Sequence, residues 1–266
     1  MAETALQRAG VYERTAPVSL ARIWENVLDW EHLPWLHGTS FAEIACHDIG
    51  PWGWRGTFRQ KAKPELWSEV EVKLDRPNLR YVTRTIGGFG KGNEIWTYLK
   101  PIAARETEVR VEFLFADLPA DKADEIGAAY ARLYTTLWDE DVDMMRRRDA
   151  LLDRRGAGPT GSMDLGTLAE VRARLPFTVE WDGRPYRVVE VDGRIVAFCG
   201  LCPHMLGPLE DGAVDGREVT CPWHGYRFDV VDGKSTDGRG LAMKPAPEVV
   251  IDEAGGHVNL VWPAAD

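Results

Sequence analysis

The sequence predicts an α+β protein made of two unlike parts, and three observations carry that reading. A Gly/Pro/Ser-containing stretch, Asp153-Arg-Arg-Gly-Ala-Gly-Pro-Thr-Gly-Ser162, breaks the chain. Before it, a strand, a helix, several alternating strands and a long helical pattern follow one another. After it lie all six Asp-Gly pairs, beginning at Asp182, Asp192, Asp211, Asp215, Asp232 and Asp237. The expected division is a first domain over 1–153, a linker over 154–163 and a second domain over 164–266.

The elements of the first part are expected in this order. A short strand at Val11–Thr15 leads into Pro17, suited to the first turn of a helix. Leu20, Ile23, Trp24, Val27 and Leu28 keep a helical period until Pro34 interrupts it. Leu66, Ser68, Val70, Val72 and Leu74 then alternate with Trp67, Glu69, Glu71 and Lys73, and Val109, Val111, Phe113 and Phe115 alternate later. A long helix over Ala120–Leu152 closes the domain. The glycine cluster Gly87-Gly-Phe-Gly-Lys-Gly92 lacks the spacing of a phosphate loop and reads as a connection between strands. In the second part, Asp-Gly between short apolar runs signals hairpin turns, so a small antiparallel β domain is expected.

Composition is that of a globular protein, and no stretch is long and apolar enough to span a membrane. The N-terminus lacks the apolar core of a secretory signal, so the cytoplasm is the expected compartment. A net charge of −10 argues against nucleic acid, whose phosphates need a basic footprint. Four cysteines in 266 residues do not make a disulfide framework.

Three of those cysteines, Cys199, Cys202 and Cys221, cluster near histidines. Cys202-Pro-His204 and Cys221-Pro-Trp-His224-Gly offer one thiol and one imidazole on each of two loops. A [2Fe–2S] centre uses such a set asymmetrically, with two thiolates on one iron and two imidazoles on the other. Tetrahedral zinc accepts the same four donors, although Cys-x-His is not the usual finger spacing. Cys199 reads as a non-ligand.

A second constellation lies in the first part: Glu25-x3-Asp29-x2-His32-x4-His37. At 100° per residue, Glu25, Asp29 and His32 fall on one helix face. That face lies opposite the apolar stripe, so the spacing alone equally describes a solvated surface. The long helix adds an anomaly. Its apolar stripe runs through Ile126, Tyr130, Leu133, Leu137, Met144 and Leu151, and Asp141 falls inside it while Asp139 and Asp143 do not. A carboxylate there is costly unless it is paired or bound to metal. Two histidines and one carboxylate suit non-haem Fe(II) with open positions for O₂. A salt bridge to an arginine or a loose helix crossing would also account for it.

The second loop, Cys221-Pro-Trp-His-Gly-Tyr-Arg-Phe-Asp229, resembles the second cluster loop of Rieske ring-hydroxylating oxygenases, and Ala197-Phe198 leading to Cys202-Pro-His204 resembles the first. The Glu-x3-Asp-x2-His-x4-His spacing resembles their mononuclear iron motif, and Trp138-Asp-Glu-Asp141-Val resembles the segment supplying the third ligand. The order of elements in the first part resembles the helix-grip (START-like) fold, the class of their catalytic domain. The resemblance implies that Cys202, His204, Cys221 and His224 hold a [2Fe–2S] cluster and that His32, His37 and Asp141 bind Fe(II). It implies that Asp29 bridges an iron-ligating histidine and a cluster histidine, with His224 favoured, and leaves Glu25 at a variable position. Family members usually place the Rieske domain first, whereas here it comes second.

The activity implied is oxygenation of a hydrophobic or aromatic small molecule with O₂ as co-substrate, giving a hydroxylated, dihydroxylated or dealkylated product. Neither a dinucleotide fingerprint nor a flavin motif is present, so electrons from NAD(P)H require a separate reductase, with or without a ferredoxin. The family also implies a homo-oligomer, commonly a trimer. Eight of the eleven tryptophans lie in the first part and fit either a core or an apolar cavity. The alternatives are a non-enzymatic Rieske electron carrier fused to a START-like ligand-binding domain, and a zinc-stabilised binding protein.

Overall fold

A computed structural model describes residues 6–154, 159–252 and 256–262. The chain divides into two compact units, Met1–Asp149 and Ala150–Asp266. Of the expected linker, residues 155–158 lie outside the described residues.

The first unit is one antiparallel sheet holding a long helix. Its strands are β1 (Gln7–Ala16), β2 (Phe41–Gly50), β3 (Gly53–Gln60), β4 (Lys63–Asp75), β5 (Arg80–Gly88), β6 (Glu94–Ala103) and β7 (Glu106–Phe115). They are ordered β1-β7-β6-β5-β4-β3-β2, with helix α1 (Leu20–Leu28) between β1 and β2 in sequence and α2 (Ala123–Asp153) at the end. This is the helix-grip arrangement. The alternation anticipated in β4 and β7 is present: Ser68, Val70 and Val72 are buried while Trp67 is exposed, and Val109, Val111, Phe113 and Phe115 face the core. Trp138, Val142 and Met145 of α2 pack into that core with Ile23 and Trp24 of α1. The helix comes so close to β1 that a Cβ on Gly127 would lie 2.2 Å from the Ala9 carbonyl oxygen. Of the glycine cluster expected to connect strands, Gly87 and Gly88 still belong to β5, and Phe89-Gly-Lys-Gly92 lies in the connection to β6.

Three expectations about helices are corrected. Pro17 precedes α1 rather than opening it, because the Ser19 hydroxyl accepts the Arg22 N–H and caps the helix two residues later. The helix ends at Leu28, well before Pro34. At its end the Asp29 N–H turns back to the Asn26 carbonyl at 3.0 Å, a tightened 3₁₀-type bond, and the Val27 carbonyl accepts the Trp54 indole N–H at 2.9 Å. His32 therefore sits in the turns that follow, and Glu25, Asp29 and His32 do not share a helix face. The long helix begins at Ala123, after a 3₁₀ turn over Ala120–Lys122.

The second unit contains three three-stranded antiparallel sheets. They are built from β8 (Ser162–Thr167), β9 (Phe177–Trp181), β10 (Arg184–Val191), β11 (Arg194–Cys199), β12 (Ala213–Asp215), β13 (Glu218–Thr220), β14 (Arg227–Asp229), β15 (Glu248–Ile251) and β16 (His257–Val261), with one short helix, α3 (Leu168–Arg174). Of the six Asp-Gly pairs, Asp182-Gly183 and Asp192-Gly193 form two-residue hairpin turns with positive φ at both positions. Asp215-Gly216 leads into the two-residue turn Gly216-Arg217 between β12 and β13, and the other three lie outside such turns. Gly212, for example, follows a 3₁₀ turn with φ −64°.

Candidate functional site

Two clusters of metal-binding side chains are assembled, one in each unit. In the second unit, the loops that follow β11 and β13 are built on one plan. The Leu206 N–H donates to the Cys202 carbonyl at 2.9 Å, and the Cys202 N–H donates to the Gly207 carbonyl at 2.9 Å. The Gly225 N–H donates to the Cys221 carbonyl at 2.9 Å, and the Cys221 N–H to the Tyr226 carbonyl at 2.8 Å. The fourth residue after each cysteine is left-handed, Leu206 at φ 63° and Gly225 at φ 69°.

Cys202, Cys221 and His224 are buried, and the His204 and His224 rings meet edge to face with centroids 4.5 Å apart. Tyr226 stacks on His204 at 4.3 Å, and the Arg239 guanidinium covers the other ring neighbourhood of Tyr226 at 3.9 Å. The Cys202 thiol, hydrogen-bonded to Cys221, holds the Cys221 sulfur well below the usual thiol range, while Cys202 itself is pushed up. A Cβ on Gly207 would lie 2.8 Å from the Cys221 sulfur and 3.1 Å from the Trp223 ring, so only glycine lets the first loop close over the second. Two thiols and two imidazoles drawn together from two matched loops fit a [2Fe–2S] cluster with mixed ligation. Cys199 ends β11 and packs with Tyr186 and Leu201.

In the first unit, His32, His37 and Asp141 each offer an atom within 4.8 Å of the other two. His37 Nε2 is 3.1 Å and His32 Nε2 is 3.4 Å from Asp141 Oδ1. His32 and His37 are 4% and 1% exposed, too buried to be a solvated polar face. The far nitrogen of each ring faces another carboxylate. His37 Nδ1 is 2.6 Å from Glu140 Oε2, and His32 Nδ1 is 3.6 Å from Asp29 Oδ2, an ion-pair distance rather than a hydrogen bond. The Asn26 amide donates to Asp141 Oδ1 at 2.9 Å.

Burial alone would lower the His37 pKa, but Asp141 and Glu140 raise it above the ordinary value. Burial would push the Asp141 carboxyl up, yet the bond to His37, the nearby His32 ring and Asn26 hold it below the usual range. Two inward Nε2 atoms, one carboxylate oxygen and outer carboxylates on the far nitrogens form the donor set that non-haem Fe(II) takes.

The site lies on a cavity of about 230 Å³ in the first unit. Val27, Leu33, Phe58, Val70, Val72 and Leu137 supply apolar wall. Burial pushes the phenols of Tyr81 and Tyr134, which also line it, above their ordinary value, so both stay neutral.

All the sequence-derived candidates except Glu25 fall in these two clusters. Glu25 turns away and takes both guanidinium nitrogens of Arg148, at 2.8 and 2.7 Å, together with Arg22. Glu140 and Asn26 are additions. Neighbouring helix positions differ by 100°, so the stripe that exposes Asp141 gives no reason to include Glu140. It meets His37 only because the turns after α1 bring that ring alongside.

Residues 162–247 match the family described as the Rieske [2Fe-2S] domain. The ferredoxin component of the naphthalene 1,2-dioxygenase/salicylate 5-hydroxylase systems of Ralstonia sp. is 42% identical over 57 residues, 21% of this chain and 55% of that protein. The chain thus spans about half the length of such curated relatives. A 4beta-methylsterol monooxygenase of Methylococcus capsulatus is 28% identical over 121 residues, covering 34% of this chain and 32% of the enzyme. Among solved structures, the Zhui aromatase/cyclase from Streptomyces sp. R1128 covers 55% of this chain and 96% of its own, with 13% identity and a TM-score of 0.46.

Proposed function

We propose that this chain, in which residues 162–247 form a Rieske [2Fe–2S] domain, is the oxygenase of a multicomponent redox system. Electrons from NAD(P)H would reach the cluster from a separate reductase, directly or through a ferredoxin. The observation that carries the reading is the convergence of His32, His37 and Asp141 on the wall of an apolar cavity. Fe(II) bound there would supply O₂ activation, and the products would be hydroxylated, dihydroxylated or dealkylated apolar molecules.

The chain's own residues have separable tasks in this reading. Glu140, by accepting the Nδ1–H of His37, would leave Nε2 as the atom that ligates the metal. Asp29 stands 3.6 Å from His32 Nδ1, an ion-pair contact, and would couple electron delivery to the mononuclear site. Asn26 fixes one Asp141 oxygen by donating to it. The apolar wall excludes water from the space beside the three ligands.

Reduced protein exposed to labelled dioxygen and a panel of one- and two-ring compounds tests the reading. Label should enter at least one compound. Asp141→Ala should abolish incorporation and lose the iron outside the cluster while keeping the cluster spectrum. Asp29→Asn should keep both metals and lose incorporation. An Asp141→Ala variant as active as the unaltered chain would overturn the assignment.

A second reading has one observation in its favour: several of the curated relatives are ferredoxin components that match only part of the Rieske half. The chain would then be an electron carrier fused to a ligand-binding domain. Its signature would be a full cluster with no iron at His32, His37 and Asp141.

A further inference from the structure

The cavity imposes a polarity pattern on whatever enters it. At about 230 Å³ it is smaller than the roughly 300 Å³ that begins the usual range for ligand pockets, which suits a molecule of one or two rings. Its charged lining residues, Asp29, Asp141 and the imidazoles, are gathered at one end, and among the described residues lining it there is no lysine or arginine.

The other end is set by β5. Side chains on a strand alternate, so Tyr81, Thr83 and Thr85 share the inner face, and all three line the cavity. Tyr81 is near enough to Asp141 to feel its charge. At about 3.4 Å per residue, Thr85 lies roughly 14 Å farther along the strand. Its backbone is fixed on both sides, the N–H donating to the Asn93 carbonyl at 2.9 Å and the carbonyl accepting the Gly92 N–H at 2.8 Å. Two neighbouring polar side chains are already engaged: Ser68 donates to the Phe89 carbonyl at 2.8 Å, and the Asn93 oxygen accepts the Ala116 N–H at 3.2 Å. Among the remaining polar side chains that line the cavity, Gln60 included, the two threonine hydroxyls, each both donor and acceptor, share the strand face that runs away from Asp141 and suit a ligand.

Resting on the oxygenase reading above, we infer that the substrate is a neutral compound whose apolar ring system carries a hydroxyl or carbonyl at the end remote from the iron, held by Thr83 and Thr85. An anion would be buried without a countercharge and beside carboxylates. A cation would find the carboxylates occupied by imidazoles and amide, and no further carboxylate among the described residues lining the cavity.

Equilibrium binding to the full, cluster-containing chain tests this without turnover, using 2-naphthol, 2-methylnaphthalene and 2-naphthoate in calorimetry. The expected order is 2-naphthol tightest, with the other two weaker by about 2- to 10-fold or more, the span of one net hydrogen bond. Thr85→Val should remove the advantage of 2-naphthol and leave 2-methylnaphthalene unchanged, a pattern that general damage to the fold would not produce. Should that variant not fold, Thr83→Val and the three-compound order in the unaltered chain decide. Preference for 2-naphthoate, no binding of any probe, or a 2-naphthol advantage that survives both substitutions would overturn the inference. Iron content, measured on the same protein, reports separately on the oxygenase reading. The expected binding order in a chain lacking mononuclear iron would sink that reading and keep the cavity's selectivity.

Discussion

At the scale of single residues, the strongest constraint on the proposed mononuclear site is a carboxylate that stands behind a histidine rather than among the three converging donors. Glu140 holds His37 Nδ1 at 2.6 Å, whereas Asp29 stands 3.6 Å from the corresponding atom of His32. Glu140→Gln should therefore weaken Fe(II) binding about 10- to 100-fold, the usual effect of losing an outer carboxylate. Anaerobic iron titration, with the cluster absorbance as an internal constant, measures it; unchanged affinity would remove Glu140 from the site. Gly207 plays an analogous steric part in the other unit. A Cβ would meet two buried side chains, the Cys221 sulfur and the Trp223 ring, rather than the end of an exposed one. Gly207→Ala should purify with less than half the sulfide and visible absorbance of the unaltered protein, and full occupancy would contradict the close-approach argument. Cys202, His204, Cys221 and His224 were legible because ligand type and spacing are local properties. Glu140 and Gly207 were not, since each matters only through a partner 103 or 14 positions away in sequence.

At the scale of elements, the geometry that presents the histidines depends on where α1 stops. Periodicity carries the helix toward Pro34, but the chain leaves it after Leu28, where the Asp29 N–H turns back to the Asn26 carbonyl and a tryptophan from β3 donates to the Val27 carbonyl. No reading of residues 20–34 by themselves contains the tryptophan's bond. The long helix was legible for the opposite reason: its stripe repeats over many turns, and one charged intruder in it marks the site. How closely that helix seats on β1 is set by Gly127, where an added methyl group would strike the Ala9 carbonyl. In an open helix position Gly→Ala stabilises by about 0.4–1 kcal/mol, whereas here overpacking should destabilise by about 1–3 kcal/mol. Urea denaturation of Gly127→Ala gives the sign directly, and a more stable variant would mean that α2 does not seat as described.

At the scale of the whole molecule, two unlike units share one chain, and the one that matches the Rieske [2Fe-2S] domain comes second. The sequence places a break near residue 153, where composition changes from strands and a long helix to the Asp-Gly turns, and the compact units divide at Asp149 and Ala150. Among the described residues no helix is long and apolar enough to cross a membrane. The central claim is that one chain carries both a cluster and a separate iron, and it is tested most directly by iron, acid-labile sulfide and zinc per chain. The protein should be purified without oxygen or chelators and supplied with Fe(II). The account predicts about three irons and two sulfides, with one iron removable by a chelator while the cluster spectrum persists. About two irons and two sulfides after Fe(II) is supplied, or zinc in place of iron, would contradict it.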